Sequence, residues 1–267
     1  MLPDRYTIEL CQAQGIIPET LELFRYWQVG MSGSELRDLA LEKDVLGKAT
    51  ERRVSNVVKE GFANRFLAPD VVVSSPLIKR LVEGDVDTGF LREVFLIHTF
   101  RRNLILRDFL SEIYWPDFSA GQDYVDRDDV FRLIDRATVS GIIPKRWSEK
   151  TRERVGGYVL GTAHDFRLLG KPEGRSGKRR IEVFHPKEET LLYLAYDLHF
   201  SDLSESQILD HPDWQALGYS PEDVRPVLDQ LMRSGHLIYQ DAGDLVRVDW
   251  KYQTREELTD AILGSDH

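Results

Sequence analysis

Apolar residues along this chain recur mostly three and four positions apart, the spacing of a helix face. At 181–184 and again near the C-terminal end they follow a strand-like pattern instead. Leu21, Phe24 and Trp27 follow Ile17-Pro18-Glu19, whose proline suits a first helical turn, and Gly30 offers a stop. Ser32 or Ser34 caps a second helix through Leu36, Leu39 and Ala40, and Thr50 caps a third along Val54, Val57, Val58 and Phe62. Over residues 88 to about 114 the apolar positions Phe90, Leu91, Val94, Phe95, Ile97, Leu104, Ile105, Phe109 and Ile113 wrap most of one helix, the expected central core element. Further helices are predicted over 126–140, closed by Gly141, and over 148–169, where Val155, Val159, Ala163, Phe166 and Leu169 share a stripe. Residues 181–184 read as a strand. Helical patterns over 188–198, 204–209 and 220–234 then lead to a hairpin of 236–240 and 245–250, turned at Asp241-Ala242-Gly243-Asp244.

These elements predict a mainly α, multi-helix protein with an N-terminal helix-turn-helix, a C-terminal winged helix and short β-hairpin wings. The expected modules are a helix-turn-helix domain over 1–85, a central helical domain with a basic helix and wing-like loop over 86–185, and an acidic winged-helix domain over 186–267. No stretch reaches the roughly 18 uncharged apolar residues of a membrane span. The N-terminal residues carry Asp4, Arg5 and Glu9 where an export signal needs an apolar run, so a cytoplasmic protein is expected. Cys11 is the only cysteine, which excludes an internal disulfide and any cysteine-rich zinc site.

Charge changes this picture. The net charge of −10 repels a polyanion on average, but its distribution is uneven. Residues 1–144 hold 18 Lys/Arg against 23 Asp/Glu (−5), residues 145–180 hold 11 against 4 (+7), and residues 181–267 hold 6 against 18 (−12). The basic island includes Lys145, Arg146, Lys150, Arg152 and Arg154 around the start of a helix. It continues through Lys171, Arg175, Lys178, Arg179 and Arg180 in a glycine-rich stretch. A helix followed by a cationic, glycine-rich tip is what a winged helix lays along phosphates. The third N-terminal helix adds Arg52, Arg53 and Lys59, with Asn56, opposite its apolar stripe. Double-stranded DNA is the partner this pattern points to, through those thirteen cations. A solvated charged surface, or a grip on an acidic partner, accounts for the same residues. The third helix of the C-terminal module bears Glu222, Asp223 and Asp229 against Arg225 and Arg233, chemistry suited to docking a protein.

Catalytic patterns do not emerge. The seven histidines are scattered, and neither a Gly-x-Ser-x-Gly nor a dinucleotide fingerprint occurs. A phosphate-cradling loop ending at Gly177-Lys178 fails, because Pro172 stands at the required glycine and Arg179 at the required Ser or Thr. Asp123, Asp126, Asp128 and Asp129 lack the order of an EF-hand and read more simply as helix-start acids. No catalytic residue, metal or cofactor is therefore expected, although a nuclease assembled from distant acids is a third reading.

Residues 6–15 followed by Ile17-Pro18-Glu19-Thr20, then Trp147-Ser148-Glu149-Lys150-Thr151, form a spread pattern. His211-Pro212-Asp213-Trp214 through Gly218, Val224 and Leu231 to Gln240-Asp241-Ala242-Gly243-Asp244 and Trp250 extend it. Together these resemble the BrxA family, the small component of BREX phage-defence systems. The resemblance implies an all-helical protein with N- and C-terminal winged-helix modules and no enzyme activity of its own. It implies binding of double-stranded DNA alongside other BREX proteins, including a methyltransferase. A scaffold of the same complex with no DNA contact is the alternative.

Overall fold

A computed structural model describes residues 4–174, 177–242 and 245–265. In chain order the helices begin with α1 (Ile17–Tyr26), α2 (Gly33–Glu42) and α3 (Glu51–Ser55), the last continuing as a π-helical stretch over Asn56–Leu67. Next come α4 (Ser75–Glu83), α5 (Thr88–Arg102) and α6 (Leu104–Phe109), which passes through Leu110–Tyr114 into α7 (Trp115–Ser119). Strand β1 (Tyr124–Val125) precedes α8 (Arg127–Val139) and α9 (Glu149–Asp165), followed by β2 (Leu169–Glu173) and β3 (Lys178–Ile181). The chain ends with α10 (Glu188–His199), α11 (Glu205–Leu209), a 3-10 turn at Pro212–Leu217, α12 (Pro221–Arg233), β4 (Leu237–Ala242), β5 (Leu245–Trp250) and α13 (Arg255–Ser265). The protein is mainly α with two small antiparallel sheets. Among the described residues no helix is long and apolar enough to cross a membrane.

Contacts group the chain into two units: Met1–Val73 with His98–Phe184, and Ser74–Ile97 with His185–His267. The first is organised at its N-terminal end by aromatic packing. Phe24 lies 4.7 Å from Phe62 and 5.0 Å from Phe66, centroid to centroid, beneath a buried Trp27. Short polar side chains start the helices, as the sequence leads one to expect. Ser32 accepts the Glu35 N–H while Glu35 accepts the Ser32 N–H, Thr50 accepts from Arg53, and Ser148 accepts from Thr151.

Arg65, in the π-helical stretch, is fully buried and donates to three consecutive carbonyls, Ala13 at 2.6 Å, Gln14 at 2.5 Å and Gly15 at 3.2 Å. Those carbonyls belong to an irregular segment that cannot satisfy them internally. Further along, Tyr114 donates to the Leu168 carbonyl at 2.9 Å, tying the helical layer to the point where β2 begins.

Three local expectations need correction. The single helix expected over 88–114 is interrupted at Asn103, whose extended backbone and side-chain bond to the Leu106 N–H start a new helix. The basic helix stops at Asp165 rather than at 169, because Arg167 takes a left-handed conformation (φ 61°) and Leu168 and Leu169 turn into the sheet. The strand expected over 181–184 instead ends at Ile181 and contains Lys178, Arg179 and Arg180.

In the second unit α10 is buried nearly all round, and the Tyr196 hydroxyl donates to the His236 carbonyl at 2.6 Å while accepting the Lys251 N–H at 3.0 Å. The α12 stripe of Val224, Val227, Leu228 and Leu231 is buried as the sequence predicts, and the β4–β5 ladder pairs Leu237 with Trp250. Gly243 and Asp244, half of the expected hairpin turn, lie outside the described residues.

Candidate nucleic-acid interface

The region that carries the basic island is built from α6 to β3. Its sheet has the order β1-β3-β2, all antiparallel, with Tyr124 opposite Arg180, Val125 opposite Arg179 and Glu173 opposite Lys178. Helix α9 packs Val155, Val159, Leu160 and Ala163 inward. Three glycines sit within it, each costing roughly 1 kcal/mol against alanine in a helix interior, so each asks for a reason. A Cβ on Gly156 would come within 2.9 Å of Phe131 on α8, and one on Gly161 within 2.8 Å of Gln14. The Phe131 ring gives Gly156 a packing reason, and the end of the flexible Gln14 side chain gives Gly161 a weaker one. The third, Gly157, has nothing within 4 Å.

The far half of α9 is engaged by the N-terminal segment. Asp165 accepts the Gly15 N–H at 3.0 Å, and burial raises its carboxyl above the usual range. Open surface on α9 is therefore concentrated in its first turns, where Lys150, Glu153 and Arg154 are exposed.

The thirteen sequence-predicted cations divide by what they touch. Arg52, Lys59, Lys145, Arg146, Lys150, Arg154, Lys171 and Arg180 are exposed and have no ion-pair or hydrogen-bond partner among the described residues. Arg53 is spent internally, donating to the Gln12 carbonyl and to Glu19, both at 3.0 Å. Arg152 bridges Asp135 at 2.7 Å and Glu149 at 3.6 Å, with its guanidinium 4.3 Å from the Phe131 ring centre. Lys178 lies 4.0 Å over the Tyr124 ring, and half-buried Arg179 donates to the Gly170 carbonyl at 3.3 Å. Arg175 lies outside the described residues. Arg152→Ala is expected to lower stability by about 1 kcal/mol, the scale of a partly desolvated cation–π contact with two exposed-acid ion pairs. Thermal denaturation checks this, and an unchanged melting temperature would contradict the packing role.

The fold also brings in a residue that the sequence reading did not single out. Arg127 opens α8, where the helix dipole disfavours a cation, and it has no ion-pair partner among the described residues. A Cβ on Gly177, just before β3, would lie 3.5 Å from the Arg127 Nη2. Arg127 and Arg154 together line a shallow, open depression of about 290 Å³ with Gln14, Glu153, Gly157 and Tyr158. Its one sequence signal is a cation at a position that favours acids.

The aspartates at 126–129 serve the helix. Asp126 accepts the N–H groups of Asp128 and Asp129, and Asp129 accepts that of Asp126. A larger cavity of about 530 Å³ nearby is lined by Glu112, Asp117, Asp129, Arg132 and Arg136, among others. Both of its arginines are paired within it, Arg136 with Glu112 at 2.7 Å and Arg132 with Asp129, and Asp117 adds a further carboxylate, so it offers no unmatched cation to an anion. Among the described residues no group of three His, Cys, Asp or Glu side chains is placed to hold a metal ion.

The model of the BrxA family matches residues 4–197, and the chain belongs to that family, a component of BREX defence systems. A comparison with curated proteins gives no match. Among solved structures, a crystal structure of an uncharacterized protein from Magnetospirillum magneticum is similar, with a TM-score of 0.58 at 15% identity. The match covers 74% of this chain and 95% of that one. At that identity the likeness is one of fold.

Proposed function

We propose that this chain is a non-enzymatic, double-stranded-DNA-binding subunit of a BREX defence complex, working in the cytoplasm alongside other BREX proteins, including a methyltransferase. In this reading α6–α7, β1, α8, α9, β2 and β3 form a winged helix. The first turns of α9 meet the duplex, and the β2–β3 hairpin lies along its backbone as the wing. The order helix, strand, helix, helix, two strands, with the third strand between the other two, supports it.

The observation that carries the reading is the set of exposed cations without partners on that region, Lys145, Arg146, Lys150, Arg154, Lys171 and Arg180. Side chains held by no carboxylate among the described residues can replace counterions on phosphates. Charge by unit agrees. The unit containing this region holds 26 Lys/Arg against 24 Asp/Glu (+2), whereas the other holds 9 against 21 (−12), so the acidity that argued against DNA lies elsewhere in the chain.

The acidic unit supports a second role, docking of a basic protein partner through a winged helix made of α10, α11, α12 and the β4–β5 hairpin. On α12 Arg225 is already paired with Asp241, which leaves Glu222 and Asp229 against Arg233 and a net negative surface.

Titration of a labelled duplex at several salt concentrations tests the main reading. With about five phosphate contacts, the log–log slope of affinity against salt is expected near −4 to −5. Absence of any shift at low salt would leave the scaffold reading standing. Metal-dependent loss of the duplex in the same tubes would instead mark a nuclease.

A further inference from the structure

Among the described residues nothing packs against Gly157 closely enough to require a glycine there. A glycine inside a helix costs stability relative to alanine; Gly156 admits the Phe131 ring, and Gly161 leaves room for the end of the Gln14 side chain. At Gly157 a methyl group would meet nothing within 4 Å, and the residue lines the cavity it would enter. Such a glycine fits a place where something outside the chain approaches the helix backbone closely.

The walls indicate what that is. Arg127 and Arg154 both face the cavity, exposed and without ion-pair partners among the described residues. Arg127 also lies close enough to Arg179 for the two like charges to act on one another, and that repulsion eases when an anion sits between cations. Tyr158 and Gln14 add a hydroxyl and an amide able to donate hydrogen bonds. Glu153 is the one opposing charge. The depression, about 290 Å³, is shallow and largely open to solvent, a form that can receive one charged group of a larger ligand rather than enclose a small molecule.

We infer that this notch seats one backbone phosphate of the bound duplex, clamped between Arg127 and Arg154 with the helix backbone at Gly157 as its floor. The inference rests on the DNA-binding reading above and adds to it a fixed register point between α9 and the wing. Glu153 then acts against binding, because its carboxylate stands beside the phosphate.

Three variants test this by salt-dependent titration of duplex DNA, with thermal denaturation alongside. Gly157→Ala should raise the melting temperature by roughly 2–4 °C through helix propensity while weakening DNA affinity about tenfold, because the methyl group fills the floor. Arg127→Ala, a change at an exposed side chain, should weaken binding about as much and reduce the salt slope by about 0.9. Glu153→Gln should tighten binding several-fold at low salt, with the gain fading as salt rises.

Wild-type affinity in both Gly157→Ala and Arg127→Ala would overturn the phosphate notch while leaving DNA binding by the wing and α9 intact. Weaker binding and altered base preference in Glu153→Gln would also overturn it, since the carboxylate would then be reading a base. If Gly157→Ala fails to fold, Arg127→Ala and Glu153→Gln decide alone. Failure of the wild-type protein to bind duplex would remove the underlying reading and this inference with it, before any variant is compared.

Discussion

Replacing Lys150, Arg154, Lys171 and Arg180 together by alanine is expected to weaken duplex binding on the order of 10³-fold at 0.1 M salt, about 4 kcal/mol. The salt slope should fall by about 3.6, since each lost phosphate contact removes about 0.9 from it. Folding should hardly change, because all four side chains are exposed and have no partner among the described residues, and such surface changes usually stay within about 0.5 kcal/mol each. Fluorescence anisotropy across a salt series, with a melting curve for each protein, separates the two effects. A four-site variant that keeps the wild-type slope would mean that the duplex, if bound at all, lies elsewhere. Arg52→Ala with Lys59→Ala then asks whether the exposed cations of the N-terminal helix carry part of the load. A second, smaller drop in slope would place them on the same duplex.

This choice of four differs from a choice made by charge alone. Counting cations makes Arg53, Arg152 and Arg179 look equivalent to Arg154, yet the first two answer Glu19 and Asp135, and the third is half-buried against the Gly170 carbonyl. Removing any of these three changes packing together with charge, so a loss of binding would be ambiguous. The side chains left without partners give the cleaner measurement.

The helices that sequence reading places well are those with local start signals. Ser32 with Glu35, Thr50 and Ser148 are each followed by an apolar stripe that ends buried. The strands that complete the basic region are a different matter. Gly170-Lys171-Pro172-Glu173 has almost no strand propensity, and β2 exists because Leu168 and Leu169 anchor its start and β3 pairs with its end across an irregular register. Strand β1 is two residues long and owes its place to pairing with Arg179 and Arg180, more than fifty positions later.

Arg127 was illegible for the same reason, since its meaning comes from Gly177 and Arg154, neither of them near in sequence. The grouping of Ser74–Ile97 with His185–His267 is likewise a matter of long-range packing. Within that unit buried Ser74 donates to Asp197 at 2.5 Å, a pairing that no local pattern announces.

Arg65→Ala is expected to be among the most destabilising single changes in the first unit, by about 3–5 kcal/mol, the scale of a large buried side chain lost together with its charge-assisted hydrogen bonds. Burial lowers the Arg65 guanidinium to about 10, so at neutral pH it stays charged, and its hydrogen bonds run to the carbonyls of Ala13, Gln14 and Gly15. Without it those carbonyls lose their donors, and alanine leaves a void where a long side chain stood. Arg65→Lys should recover only part of the loss, because one ammonium cannot reproduce the forked donors that reach three acceptors. The damage should be local first, with amide hydrogen exchange rising in residues 9–16 before α9 itself opens. That segment supplies Gln14 to the Gly161 face of α9 and the Gly15 N–H to Asp165. Binding of duplex by the variant, measured well below its melting temperature, should therefore weaken even though Arg65 itself is buried away from any ligand. A variant that melts within about 1 kcal/mol of wild type and binds as well would mean that residues 13–15 are held by their other contacts. The N-terminal segment would then have no part in shaping the α9 surface.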